Sequence, residues 1–300
     1  MSEMCRLIFN GLGSLLIGLL AFPTFAQEPV DERRLIFADE FSASELDREN
    51  WVTIGPDFWV NKEEQAYIDD PAVISILEGI EGAEGGVLML RPVYQPGIDT
   101  LEERSADFVS GRIESKGKFD FTYGRAEARI LLPDAVGVWP AFWLLGNGKW
   151  PDTGEIDIME YVGEKDWTAV ALHGPGYSGD NTPFVDRYYF NDGAGAAAWR
   201  TYAVEWTADA IEFEIDGVLT YRATRKMVEQ NGKWRFDNPK YLILNFAMGG
   251  AYPYKNNVVD EPYHGVPQET VEKVKSGQIA MLVDWVRVYA PEDETSDSGD

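Results

Sequence analysis

From about Leu35 to Tyr289 the apolar residues fall in short runs rich in β-branched and aromatic side chains, broken by Gly, Pro, Asn and Asp. A two-residue period marks strands that turn one face to a core. Arg125–Leu132 (RAEARILL) alternates. Ile211–Ile215 (IEFEI) does too, and runs through Asp216-Gly217, a hairpin turn signal, into Val218–Tyr221. Tyr202–Trp206, Tyr241–Phe246 and Met281–Tyr289 predict further strands. Helical signals are confined to Arg225–Gln230 and Glu269–Ser276, one or two turns each. Many strands without interleaved helices predict an all-β antiparallel sandwich. With no internal repeat and no linker before the C-terminal tail, residues 27–290 read as a single domain.

One stretch resists the alternation. In Gly154–Gly163 (GEIDIMEYVG) regular pleating puts Glu155 and Asp157 on one face and Glu160 on the other. Either the acids are ordinary solvated side chains, or a β-bulge at Ile158 and Met159 resets the phase and turns all three to one face. The second arrangement would offer the carboxylate pair that most glycosidases work with. Such enzymes use one carboxyl as nucleophile and one as acid and base, and a third acid can tune both. Three tryptophans lie just upstream, Trp139, Trp143 and Trp150. The first two are four residues apart and share a strand face, where indole rings can cover the apolar faces of sugars. His173 follows closely in a loop-like run (LHGPGYSG), whereas His264 has no such neighbours and receives no role.

Composition narrows the substrate. The 300-residue chain carries a net charge of −25, which repels nucleic-acid phosphates and disfavours sulfated polymers, so a neutral partner is expected. The sole cysteine, Cys5, lies in a leader-like segment, so the mature chain is expected to hold no disulfide or thiolate site. Residues 1–26 combine an apolar core, Leu15–Phe22, with a small-residue cleavage pattern before Gln27. They predict a signal peptide, a secreted or periplasmic location, and no membrane attachment after cleavage. Pro291–Asp300 is acidic and lacks an apolar core, and reads as a disordered tail.

WPAFW at 139–143, followed by WPDTGEIDIMEYVG and LHGPGYSG, resembles glycoside hydrolase family 16, in particular its laminarinase-like endo-β-1,3-glucanases. The likeness extends to Ala38–Phe41 (ADEF), Asn61–Tyr67 (NKEEQAY), Ser110–Phe119, Tyr123–Arg125, Tyr202–Asp216 and Val283–Tyr289. It implies a β-jelly-roll sandwich of two curved antiparallel sheets with a concave substrate cleft. It further implies Glu155 as nucleophile, Glu160 as general acid and base, and Asp157 as support for the nucleophile. Asn61, Arg112, Trp139, Trp143 and His173 would bind substrate. Tyr252 stands where relatives often carry Trp, and Ala66 replaces a common aromatic. No cofactor is implied for catalysis. A structural Ca²⁺ is implied at Glu40, the carbonyl near Gly86 and Asp284, oxygen donors of the type that ion takes. Residues 256–277 have no clear counterpart in the family.

The expected activity is retaining hydrolysis of internal bonds in a neutral β-glucan by a monomeric enzyme. Alternatives are a mixed-linkage β-1,3-1,4-glucanase, another family 16 glycanase or transglycosylase, and a non-catalytic glucan-binding module. The module is disfavoured because all three acids are present. A legume-type lectin sandwich would leave the acid spacing and the flanking tryptophans unexplained.

Overall fold

A computed structural model describes residues 33–100 and 104–291. The leader expected at 1–26 and all of the acidic tail but Pro291 lie outside the described residues. Two antiparallel sheets form the sandwich. One runs in the order Val185–Tyr189, Trp167–His173, Glu155–Glu160, Val138–Gly146, Lys240–Met248, Arg112–Glu114, Val52–Thr53. The other runs Val218–Thr224, Ala210–Ile215, Arg200–Trp206, Gly124–Leu131, Met281–Tyr289, Val87–Leu90, Ile74–Leu77, with Leu35–Asp39 also paired to Met281–Tyr289. Among the described residues no helix is long and apolar enough to cross a membrane.

The alternation read in the sequence is what closes the core. In Gly124–Leu131, Ala126, Ala128 and Ile130 are wholly buried, while Arg125 turns outward to Glu127 and Glu214 at 2.9 and 2.8 Å. In Lys240–Met248 the even positions Leu242, Leu244, Phe246 and Met248 join the core, and Tyr241, Asn245 and Ala247 line a cleft on the opposite face. Every residue of this strand is buried, the cleft-facing ones included.

The sequence expectation differs from the structure in two places. A small third sheet contains a parallel pair, Gln65–Tyr67 beside Ser105–Ser110, so the fold is not uniformly antiparallel. A helix, Ala251–Asn257, follows the Gly249-Gly250 turn and ends at the start of residues 256–277, which showed no family pattern; within that stretch lies Gln268–Lys275, foreseen at Glu269–Ser276. Ala251–Asn257 has no apolar stripe to announce it. It starts from Gly250, at φ 91°; the Ala251 N–H donates to Asn61 O across the turn, and the Tyr254 N–H closes the first helical bond on Gly250 O.

The segment that carries the acids is bracketed by two glycines with positive φ, Gly154 at 73° and Gly163 at 86°. At Gly163 a Cβ would sit 1.8 Å from the Ala135 carbonyl oxygen. No relaxation of a flexible side chain can relieve a clash with backbone, and L-residues disfavour this φ. Gly163→Ala is therefore expected to lower the unfolding free energy by about 2–4 kcal/mol, measured by urea denaturation. A loss below roughly 0.5 kcal/mol, the range of neutral surface changes, would contradict this packing.

Candidate active site

The strand Glu155–Glu160 contains the predicted bulge. Against Trp167–His173, Asp157 pairs with Ala171 and Glu160 with Ala169, so Ile158 and Met159 together oppose Val170. Against Val138–Gly146 the register slips at the same place, Trp143 facing Asp157 and Phe142 facing Met159. Ile156, Ile158 and Met159 all enter the core, at 0–1% exposure. Glu155, Asp157 and Glu160 consequently line one cleft of about 790 Å³, within the size range of ligand sites.

The neighbouring strands supply the cleft walls. Trp139, Ala141, Trp143 and Leu145 alternate into it from Val138–Gly146. Trp139 Nε1 donates to Glu160 Oε1 at 3.0 Å. Trp143 Nε1 donates to Asn245 Oδ1 at 2.7 Å, and Asn245 Nδ2 in turn donates to Tyr67 Oη at 3.2 Å. His173 Nε2 lies 3.3 Å from Asp157 Oδ2 and 3.7 Å from Glu155 Oε1. The Gly179 backbone N–H donates to His173 Nδ1 at 3.1 Å, which leaves the proton of the neutral ring on Nε2, facing the acids. One donor atom each from Glu155, Asp157 and His173 falls within 4.8 Å of the others.

Such crowding shapes the titration. Burial, then the charge of Asp157, pushes Glu155 up to about 8. Burial and Asp157 likewise push Glu160 up to about 8, against the Trp139 hydrogen bond. Asp157 is raised well above the ordinary aspartate value by burial, and among the described residues its Oδ2 has no aligned hydrogen-bond donor. Three adjacent carboxyls in a low dielectric cannot all ionise. Both glutamates are raised alike, with Arg112 favouring ionised Glu155 and the Trp139 hydrogen bond favouring ionised Glu160.

The predicted binding residues converge on this cleft, with Asn61, Arg112, Trp139, Trp143, His173 and Tyr252 all in its walls. Arg112 lies between the rings of Phe58 and Trp143, at 4.4 and 4.9 Å, and gives Nε and Nη2 to Glu114 Oε1. Asn61 reaches Glu63 at 3.4 Å. Tyr252, on the Ala251–Asn257 helix, packs 5.3 Å from Trp139 at 59°, with its hydroxyl buried. Sequence reasoning missed Phe58, Tyr67, Glu114, Asn245, Arg187 and Lys255. Asn245 had a signal, as the one polar residue in the apolar run YLILNF. The others come from loops, edges and a helix whose position the local pattern does not encode.

The residues expected to hold Ca²⁺ are bound otherwise. Glu40 gives both carboxylate oxygens to Arg287, at 2.8 and 2.9 Å. Asp284 pairs with Arg129 and accepts from the Glu84 N–H at 3.0 Å. Gly86 is pressed on the Phe41 carbonyl, where a Cβ would lie 1.9 Å from the oxygen. A dication there would meet two guanidinium groups already neutralising its carboxylates, so this arrangement does not fit the ion.

The family profile described as Glycosyl hydrolases family 16 matches residues 91–261. A "Beta-glucanase" from Rhodothermus marinus is 32% identical over 92% of this chain and 92% of its own length. A "Glucan endo-1,3-beta-glucosidase A1" from Niallia circulans is 30% identical over 85% of this chain, which spans 37% of that longer protein. The crystal structure of the laminarinase catalytic domain from Thermotoga maritima superposes with a TM-score of 0.72 at 29% identity, covering 88% of this chain and all of that one.

The raised carboxyls set a pH dependence of stability. Between the ordinary glutamate value of 4.5 and about 8 the folded chain keeps protons that the unfolded chain has released. Folding is therefore favoured below this window and loses stability as pH rises through it. Glu155→Gln and Glu160→Gln should match the parent near pH 4 and melt several degrees higher at pH 9, at about 2–4 °C per kcal/mol. Tm measured across that range checks this; equal Tm at both ends would remove the inference of buried, mutually repelling acids.

Proposed function

The chain belongs to glycosyl hydrolase family 16, and from that premise we propose that its cleft cleaves a neutral β-glucan by double displacement, with Glu155 as nucleophile and Glu160 as acid and base. The enzyme is a laminarinase-like endo-β-1,3-glucanase and its substrate is a polysaccharide. The observation that carries the assignment of roles is the bulge, which places both glutamates and Asp157 under Trp139 and Trp143 in one cleft.

In the first step a Glu155 oxygen attacks the anomeric carbon. The glycosidic C–O bond breaks, and the Glu160 proton moves to the departing oxygen. In the second step Glu160 takes a proton from water, whose oxygen forms the new bond to the anomeric carbon as the Glu155 ester bond breaks. Both carboxyls return to their starting states and the β configuration is retained. Arg112 favours the anion on Glu155 by its charge, and His173 Nε2 faces that carboxyl at 3.7 Å. Trp139 holds one oxygen of Glu160, leaving the other to carry the proton. A protonated Asp157 offers Glu155 a hydrogen-bond donor in place of a second negative charge. The reading uses side chains of this chain alone. The acidic surface suits a neutral polymer and a monomer that does not self-associate. A polymeric substrate is met outside the cell, in keeping with the expected leader.

Glu155→Ser is expected to lower kcat on laminarin by at least about 10⁴-fold, in the range of lost catalytic nucleophiles, while laminari-oligosaccharide binding by calorimetry is kept. Proton NMR of early products of the parent should show the β anomer first. Near-parent activity of the serine variant, or an α anomer first, would overturn the roles. Laminarin, curdlan, lichenan and agarose compared side by side, with product sizing, define the linkage preference.

A further inference from the structure

We propose that Lys240 is a positioning residue for Glu155, its buried ammonium clamping the two carbonyls that precede the nucleophile to the 235–238 loop. The proposal rests on the role given to Glu155 above. Lys240 begins the strand Lys240–Met248 and shares the parity of its core-facing set, Leu242, Leu244, Phe246 and Met248. It is 0% exposed. A charge in that position is costly unless its donors are met, and they are.

Nζ donates to Thr153 O at 2.8 Å, Arg235 O at 3.1 Å, Asn238 Oδ1 at 3.2 Å and Gly154 O at 3.3 Å. An ammonium carries three protons, so these acceptors use all of them and none is a carboxylate. The lysine backbone is fixed in turn, its N–H donating to Phe121 O at 2.9 Å and its carbonyl accepting from Phe121 N at 3.1 Å. The rings of Phe236 and Trp206 lie 5.4 and 5.6 Å from Nζ. Three stretches of chain therefore meet at one cation directly beneath the start of the catalytic strand.

Gly154 shows how closely. Its turn at φ 73° leaves a Cβ only 2.2 Å from Arg235 O and 3.1 Å from Lys240 Nζ. The residue before Glu155 is thus pressed onto the clamp, and its carbonyl also accepts from Gly146 N at 3.3 Å in the neighbouring strand. Any shift of this turn carries Glu155 with it, and a displacement of about 1 Å in a reacting group can cost on the order of 10²-fold in rate. The charged groups that bear on the ammonium are Glu155 and Asp237, both of which favour it, while burial pulls it down to about 7. By reciprocity its charge favours ionised Glu155.

Lys240→Met removes the donors and the charge; Lys240→Gln keeps two donors and removes the charge. For the Met variant kcat on laminarin should fall at least about 10-fold with KM within roughly twofold, since the substrate walls are untouched. The Gln variant should recover part of kcat. In both, the acid limb of the kcat/KM profile should move to higher pH, a shift that a purely structural lysine would not produce. Laminaritriose binding by calorimetry reports that the cleft is intact, and if the Met variant does not fold, the Gln variant carries the same readings. Parent-like kcat, or a loss of kcat with an unmoved acid limb, overturns the proposal. An active Glu155→Ser would instead overturn the nucleophile assignment, and the two failures are read from separate variants.

Discussion

The structure turns on breaking the alternation of one strand once. Side chains of a pleated strand must point to opposite faces, and the core needs Ile156 and Ile158 while the cleft needs Glu155, Asp157 and Glu160. Doubling Ile158 and Met159 against Val170 satisfies both. The extra residue is apolar and goes inward, so the core gains a methionine while the third acid gains the cleft. The matching slip against Val138–Gly146 keeps Trp139 beside Glu160. Pleating, packing and catalysis are in this sense one constraint.

Gathering three carboxyls in a poorly solvated cleft carries an electrostatic cost, and much of the surrounding structure answers it. His173 faces Asp157 and Glu155 with its tautomer set by the Gly179 N–H. Arg112, held between Phe58 and Trp143, contributes positive potential on the Glu155 side. Beneath the sheet, the Lys240 ammonium ties down the turn that leads into Glu155. The cluster remains more readily protonated than free carboxyls, and an acid catalyst requires that of one of its members. Function is here supported at a cost in stability at high pH.

The outer sheet solves a different problem. Its outward residues are charged and mutually paired, as in Arg125 with Glu127 and Glu214. The same logic reaches Glu40 and Asp284, which resemblance suggested as metal ligands and which arginines neutralise in this structure. A carboxylate beside a fixed guanidinium already has its counter-charge. Donor type along the sequence points to a metal, but which cation answers the donors depends on partners far away in the chain.

The sequence by itself determined what depends on neighbouring residues. The alternation of Arg125–Leu132, the Asp216-Gly217 hairpin and the long strands Tyr241–Phe246 and Met281–Tyr289 were legible because pleating and turn chemistry are local. The bulge was legible as one of two alternatives, since the acid spacing admits a shared cleft only with one added residue, and the shared face of Trp139 and Trp143 followed from the strand period. Only the tertiary structure decided what depends on contact across the chain. It placed Phe58 against Arg112 and Asn245 against Trp143, and built the helix Ala251–Asn257 on a glycine turn docked to Asn61. It made the pair Gln65–Tyr67 and Ser105–Ser110 parallel, which no local period records. It also buried Lys240, a residue whose charge would ordinarily mark the surface, because Thr153, Gly154 and Arg235 converge there with carbonyl oxygens that only folding brings together.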